Sequence, residues 1–520
     1  VQDFLNRSDA HLWAIVSNGE RLRVLRDNQA LSRQSFLEFD LETMFQGELY
    51  ADFVLLWMVA HATRFQPHEG TLPESCWLER WTKIADEEGT RALTHLRGGV
   101  ERALETLGQG FVGHPRNTLL REALRTGKVK PAELHAQLLR IVYRLILLFV
   151  AEDRELEGIP VIHPQDRSEE ARKARERYAK NYSIGRIREM ASKIKGSRHG
   201  DLWQQFQLTV GALSGDAKYA SMRNTLALPT LGSFLWDPAS TPDLNGPSLG
   251  YAGVELTNFD FLESIRNLAF VRQDKNLRPV DYKNLGSEEF GGVYESLLSL
   301  TPQISGDGAS FGFVELAGNE KKTSGSYYTP DSLVQCLLDT ALDPVVEERI
   351  KGKYGEEAVK ALLSIRVCDP AVGSGHFLVG AAHRLARHLA RIRSNALGEG
   401  EASPLLYQHA LRDVISHCLY GVDINPMSAE LCRVTLWLEA LEPGKPLSFL
   451  DHRIRVGNSL LGTTSELVAK GIPDNAFKPI EGDEKEVCSA LKKRNKGERS
   501  GHGDLFATQD AQNLAALQQA

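Results

Sequence analysis

The sequence predicts an α/β protein, in which an open, mainly parallel sheet in the last third of the chain follows a mostly α-helical region and a small β-containing N-terminal segment. Three observations carry this. After Leu300, short apolar runs alternate with amphipathic stretches, as strands joined by helices do. Between Tyr50 and about Leu300, apolar residues recur at three-to-four-residue spacing, which gives one buried face per helix. Near the N-terminus, Asn18-Gly19 separates two short apolar runs, a hairpin signal.

With 520 residues, 42% hydrophobic and 25% charged, the chain has the composition of an ordinary globular protein of about three domains. The expected divisions are a small β segment at 1–50, a helical domain at 51–300, the parallel sheet at 301–480 and a linker at 481–520. The net charge of -7 and pI near 6.2 exclude a compact nucleic-acid module that works by overall basicity, but not a large enzyme with one basic groove. Cys76, Cys336, Cys368, Cys418, Cys432 and Cys488 have no paired spacing, so neither a disulfide framework nor a metal site is predicted, and a cytoplasmic setting fits. The longest apolar run, Leu138 to Val150, is broken by Arg140 and Arg144 and is shorter than the roughly 20 residues of a membrane span, so it reads as a buried helix. The chain starts at Val1 rather than Met, which suggests a processed or truncated polypeptide.

In chain order, Trp13–Val16 and Arg21–Arg26 form the hairpin and Phe36–Phe39 adds a strand. Leu134, Leu138, Ile141, Leu145, Leu148 and Phe149 line one helix face. Arg167 to Arg198 is rich in Arg and Lys with Tyr178 and Tyr182 interleaved. Arg172, Lys173, Arg175 and Arg177 are its candidate contacts to a DNA backbone, and a solvated helix face is the competing reading. Pro229 to Gly250 reads as a loop or domain joint, and the stretch from about Ile480 as a flexible link.

The chemistry concentrates at three strand tips. Ile365–Cys368 runs into Asp369-Pro370-Ala371-Val372-Gly373-Ser374-Gly375-His376-Phe377-Leu378 and then a helix through Leu389. A strand, a glycine turn and a helix in that order present backbone N–H groups at the carboxyl edge of a sheet, where such folds bind ligands. Gly373 and Gly375 let the main chain approach a cofactor, while Leu378 at the third glycine position argues against a dinucleotide fingerprint. No Gly-x-x-x-x-Gly-Lys-Ser/Thr occurs, which argues against a nucleoside-triphosphate loop. Cys418–Val422 ends in Asp423-Ile424-Asn425-Pro426, and an acid at that tip accepts hydrogen bonds from both ribose hydroxyls. It lies farther along than the roughly 20 residues of a short βαβ unit, and Asp423 as a plain helix N-cap is the alternative. Arg453–Val456 leads to Gly457-Asn458-Ser459-Leu460-Leu461, where an amide could read an adenine edge with Ile424 and Leu460 as apolar walls, although taken by itself this is an unremarkable turn.

Together, Asp-Pro-Ala-x-Gly-Ser-Gly-x-Phe-Leu, Gly-x-Asp-Ile-Asn-Pro and Gly-Asn-Ser-Leu-Leu resemble motifs I, II and III of adenine-specific DNA methyltransferases, and Thr323-Ser324-Gly325-Ser326-Tyr327-Tyr328-Thr329-Pro330 resembles their motif X. The likeness is to the large type IIG restriction-modification enzymes and to methyltransferases of phage-defence systems such as BREX and DISARM. It covers about Asp281 to Gly462 well, and Val1 to Arg64 only loosely, where the hairpin is similar to the end of a nuclease-like domain without a nuclease signature.

The resemblance implies a Rossmann-like S-adenosylmethionine-dependent methyltransferase sheet that acts on double-stranded DNA, with further defence-system subunits as possible partners. Tyr327, Tyr328, Thr329 and Pro330 would lie near the methionine moiety of S-adenosylmethionine. Asp369 with Gly373 and Gly375 would hold its amino-acid end, Asp423 the ribose and Asn458 the adenine, and Pro370, Ala371, Ser374, Phe377, Ile424, Asn425, Ser459 and Leu460 complete the expected cofactor-binding set. The family's catalytic Asn/Asp-Pro-Pro-Tyr/Phe motif occurs nowhere in the sequence, so no catalytic residue is assigned. Motif order places that motif, and a target-recognition domain, beyond Ala520. Two alternatives stay open: a non-catalytic S-adenosylmethionine-binding scaffold or sensor, and a methyltransferase of protein glutamine or RNA, for which so large a helical region is not expected.

Overall fold

Helix Pro131–Asp153 (α1) runs through the core, with Leu134, Leu138, Ile141, Leu145, Leu148 and Phe149 each at most 1% exposed. The computed structural model describes residues 5, 11–26, 36–67, 73–156, 158–245, 254–273, 276–286, 290–291, 300–314, 329, 331–397, 403–446, 448–462, 466, 470–480 and 483–499. The architecture is mixed α/β and mostly helical. Two compact units are formed, Val1–Gly457 and Asn458–Ala520.

In the first unit, strands Trp13–Ser17 (β1), Arg21–Arg26 (β2) and Phe36–Asp40 (β3) make an antiparallel sheet in that order. Gly19, at φ +92°, supplies the left-handed residue of the β1–β2 turn, and the Asn18 side chain accepts from the Glu20 and Arg21 N–H groups. Glu79 on the long helix Trp77–Gly113 anchors this sheet by accepting from Trp13 Nε1 and from Nε and Nη2 of Arg26. The helical character expected from Tyr50 onward is present, relieved by small two-stranded ladders such as Phe270–Gln273 with Asn276–Pro279.

Helix α1 corrects the length argument: 23 residues long, it is apolar enough to cross a membrane by length and composition, because the two arginines do not end it. It is a core helix, since 89% of its most apolar window is buried in the protein. Arg144 is wholly buried and donates to the Leu235 and Asp237 carbonyls and to the hydroxyls of Thr241 and Ser240. Those acceptors come from the stretch expected to be a loop or joint. It folds as the short helical turns Ser233–Trp236, Pro238–Ser240 and Pro242–Asn245, with Trp236 1% exposed, while 246–250 lie outside the described residues. A buried guanidinium needs acceptors, and a chain of short turns presents free carbonyls in a small volume.

The last third of this unit carries strands Val367–Asp369 (β4), Leu419–Asp423 (β5) and Ile454–Val456 (β6). They are parallel in the order β4-β5-β6, with Asp369 opposite Gly421 and Asp423 opposite Val456. Helices His376–Leu397 (α2), Pro404–His417 (α3) and Pro426–Glu439 (α4) connect them. Pro404 and Pro426 sit in the first helical turn, where a missing N–H costs nothing, behind the caps Ser403 and Asn425.

The second unit is described over Asn458–Gly462, 466, 470–480 and 483–499. Where a flexible link was expected, Lys485–Arg499 is a helix tied to the preceding turn by Asn495 Nδ2 donating to the Ile472 carbonyl and by a Lys496–Asp474 ion pair of 3.3 Å. Residues 500–520 lie outside the described residues.

Candidate functional site

Parallel pairing brings the carboxyl ends of β4 and β5 side by side, so the two strand-tip acids become neighbours. After Asp369 the chain turns through Val372, whose N–H donates to the Val422 carbonyl at 3.0 Å, locking the turn to β5. Gly373 at φ +51° and Gly375 at φ +90° supply the left-handed backbone of this turn. A β-carbon on Gly373 would meet nothing within 4 Å, whereas one on Gly375 would lie 2.8 Å from Cys432 Sγ on α4. Gly375 is therefore required by helix packing, and Gly373 leaves open space at the strand ends.

Asp423 holds the site together. Its Oδ2 accepts from the Gly373 N–H and its Oδ1 from the Asn425 N–H, each at 2.8 Å. Two bonds leave about half of a carboxylate's lone-pair sites for a ligand. The helix N-cap is Asn425, which accepts from Met427 N–H at 3.0 Å, so Asp423 is not the cap. Asp369 accepts from the Ala371 N–H at 3.0 Å, and its carboxyl is raised above the ordinary range first by burial and then by the negative charge of Asp423. Among the described residues neither acid makes an ion pair with a basic side chain. Two neighbouring carboxylates without a cation suit a ligand that brings positive charge and hydroxyl donors.

The structure thus brings together Asp369, Gly373, Gly375 and Asp423, with Pro370 and Ala371 exposed on the turn, Ser374 and Phe377 partly buried behind it, and Ile424 70% exposed beyond Asp423. Asn425 is engaged as a cap. Asn458 opens the second unit, where its Oδ1 accepts from the Leu460 and Leu461 N–H groups at 2.9 and 3.2 Å; Ser459 is exposed and Leu460 is 92% exposed. Tyr327, Tyr328 and Pro330 lie outside the described residues, and Thr329 is partly buried.

The four basic candidates lie on helix Glu169–Asn181 and are engaged within the protein. Arg172 pairs with Glu169 and Glu176, and Lys173 with Glu169. Arg175 and Arg177 donate to the carbonyls of Asp166 and Thr225. A cavity of about 650 Å³ lined by Glu152, Asp153, Arg188, Glu189, Asp281 and Lys283 shares no residue with the strand tips. Among the described residues no His/Cys/Asp/Glu group is arranged to hold a metal. Sequence reasoning missed Cys432, because only the approach of α4 to Gly375 shows that a small side chain is needed there.

Residues 289–470 match the family model described as N-6 DNA Methylase. A protein of Methanocaldococcus jannaschii described as a type II restriction enzyme and methyltransferase is 30% identical over 226 residues, 35% of this chain and 17% of that protein. The adenine-specific methyltransferase PglX of Streptomyces coelicolor is 31% identical over 162 residues, 30% of this chain and 12% of its own. The matches thus span less than a fifth of these relatives' lengths. A solved structure of the type IIL restriction-modification enzyme MmeI in complex with DNA overlaps 65% of this chain and 36% of its own at 15% identity, with a TM-score of 0.37.

Proposed function

We propose that this chain, which carries an N-6 DNA methylase domain at residues 289–470, binds S-adenosylmethionine and forms the cofactor-holding part of a cytoplasmic DNA adenine-N6 methyltransferase in a restriction-modification or phage-defence system. The observation that carries the reading is the pair of strand-tip acids, with Asp423 accepting from the Gly373 N–H of the turn that follows Asp369, and neither acid having a basic partner among the described residues. S-adenosylmethionine brings an ammonium group, a sulfonium and two ribose hydroxyls, which is the complement such a pair needs. In this reading β4–β5–β6 belong to a Rossmann-like methyltransferase sheet.

Asp369 holds the ammonium group, whose positive charge opposes the burial that raises its carboxyl. Asp423 accepts from the ribose hydroxyls with the lone pairs that Gly373 and Asn425 leave free. The turn at Gly373 lets the backbone approach without a side chain, and Ile424 offers an apolar wall. The cofactor's sulfonium supplies an already activated methyl group, so the protein's part is to position the amine and to take up the adenine once it leaves the helical stack.

The test is titration calorimetry of this chain with S-adenosylmethionine, and with adenosine diphosphate and NAD as competitors. Saturable binding of S-adenosylmethionine alone supports the reading. Tighter binding of either nucleotide overturns it.

A further inference from the structure

Helix α4 is held on two opposite sides. Glu430 and Cys432 are two residues apart, about 200° around the helix axis, so they face different neighbours. On one side Cys432 is fully buried against the turn, with its Sγ where a β-carbon on Gly375 would clash. On the other, the Arg140 guanidinium of α1 grips Glu430 with two parallel hydrogen bonds, Nε to Oε2 at 2.8 Å and Nη2 to Oε1 at 2.5 Å. Both side chains are nearly out of water, 14% and 10% exposed. Arg140 also donates to the Ser240 carbonyl at 2.7 Å and lies over the Phe234 ring, so it is itself held in place. Arg154 adds a second tie by donating to the Leu438 carbonyl near the helix's far end.

We infer that Arg140, from the helical region, is a positioning residue for the glycine turn, acting through Glu430 and α4. The inference rests on the S-adenosylmethionine reading for its ligand, but the mechanical link does not. Cys432 and Gly375 leave no slack, and α4 starts directly behind the Asp423 tip. A displaced α4 therefore moves the Gly375 backbone and the Asp423 carboxylate together. A bidentate pair sheltered from water fixes direction as well as distance, which an apolar contact at the same place does not. Removing Arg140 strands the Glu430 carboxylate, and removing Glu430 leaves the Arg140 charge without a counter-ion, held only by the Ser240 carbonyl and the Phe234 ring, so that α4 must shift or open to rehydrate the remaining charge.

The experiment compares wild type, Arg140→Met, Glu430→Met and the double variant by hydrogen exchange across residues 371–378 without cofactor, and by calorimetric titration with S-adenosylmethionine. Each single variant is expected to exchange about tenfold faster in the turn and to bind about tenfold more weakly, a part of the penalty for an uncompensated buried charge. The double variant, with no stranded charge, is expected to recover most of both. Folded single variants with wild-type exchange and affinity overturn the inference, and so does a double variant as loose as the singles. Should Arg140→Met fail to fold, Arg140→Lys and Glu430→Gln take its place in the same two measurements. Wild-type protein that binds no S-adenosylmethionine overturns the ligand assignment, while the exchange data still decide the link between Arg140 and the turn.

Discussion

The N–H of Gly373 donates to Oδ2 of Asp423 at 2.8 Å, so the glycine turn after one strand is fastened to the acid at the tip of the next. One residue thus serves both as structural acceptor and as candidate ligand.

Asp423→Ala removes both roles. We expect S-adenosylmethionine binding to weaken by about 1.5–3 kcal/mol through the missing charge-assisted hydrogen bonds. Titration calorimetry reads this directly, and affinity equal to wild type would remove Asp423 from the site.

The two glycines should respond differently to alanine. At Gly373 the added methyl meets open space and only the left-handed backbone is strained, about 1 kcal/mol. At Gly375 it meets Cys432 Sγ at 2.8 Å, and overpacking adds about 1–3 kcal/mol. Cys432→Ala should rescue part of the Gly375→Ala loss in denaturant titrations. Additive effects would show that the two positions do not touch.

Glu152, near the end of α1, accepts from Tyr178 Oη and from the Ile184 and Gly185 N–H groups. Burial pushes its carboxyl from the usual 4.5 up to about 7, against the opposing pull of those donors. The folded state then binds more protons than the unfolded one between these values, so this residue's contribution is fully present below about pH 4.5 and is lost as pH rises through about 7. Glu152→Gln should flatten the dependence of Tm on pH across that window. A slope identical to wild type would assign it to other groups.

Arg175 and Arg177 are bound to backbone carbonyls and, among the described residues, make no ion pair of the kind that engages Arg172 and Lys173, which leaves their charge open to phosphate. Replacing both with Gln should lower the salt dependence of duplex DNA binding by roughly 0.9 logarithmic units for each phosphate left unneutralised. An unchanged slope would make this helix an ordinary solvated face.

The 520-residue chain should bind S-adenosylmethionine without methylating DNA, since no Asn/Asp-Pro-Pro-Tyr/Phe sequence supplies acceptors for the amine and a stacking ring for the base. Loss of that positioning costs on the order of a thousandfold in rate or more. Incubation with labelled cofactor and duplex DNA, followed by nucleoside analysis, checks this; N6-methyladenine formed by this chain alone would reveal another acceptor group.

Much of the site is legible in the sequence because its residues are consecutive or nearly so. Asp369 to Gly375 is one turn, and Asp423 to Pro426 is one strand end, so local spacing suffices to recognise both. The hairpin around Asn18-Gly19 and the apolar face of α1 are equally local signals. Charge along a helix is less legible: the Arg167–Arg198 stretch contains its own acids, and Glu169 and Glu176 occupy Arg172 at helical spacing.

By itself the sequence determined the strand tips, the glycine turn, the two acids and the order of helices and strands, because these depend on residue type and short-range periodicity. Only the tertiary structure decided that Gly375 answers to Cys432, that Asp423 receives the Gly373 N–H, and that Arg140 reaches across to Glu430. These partners lie far apart in the chain and meet only when the helices pack. No local pattern records how closely two backbones approach or which buried charge faces which, because both are set by the whole core at once.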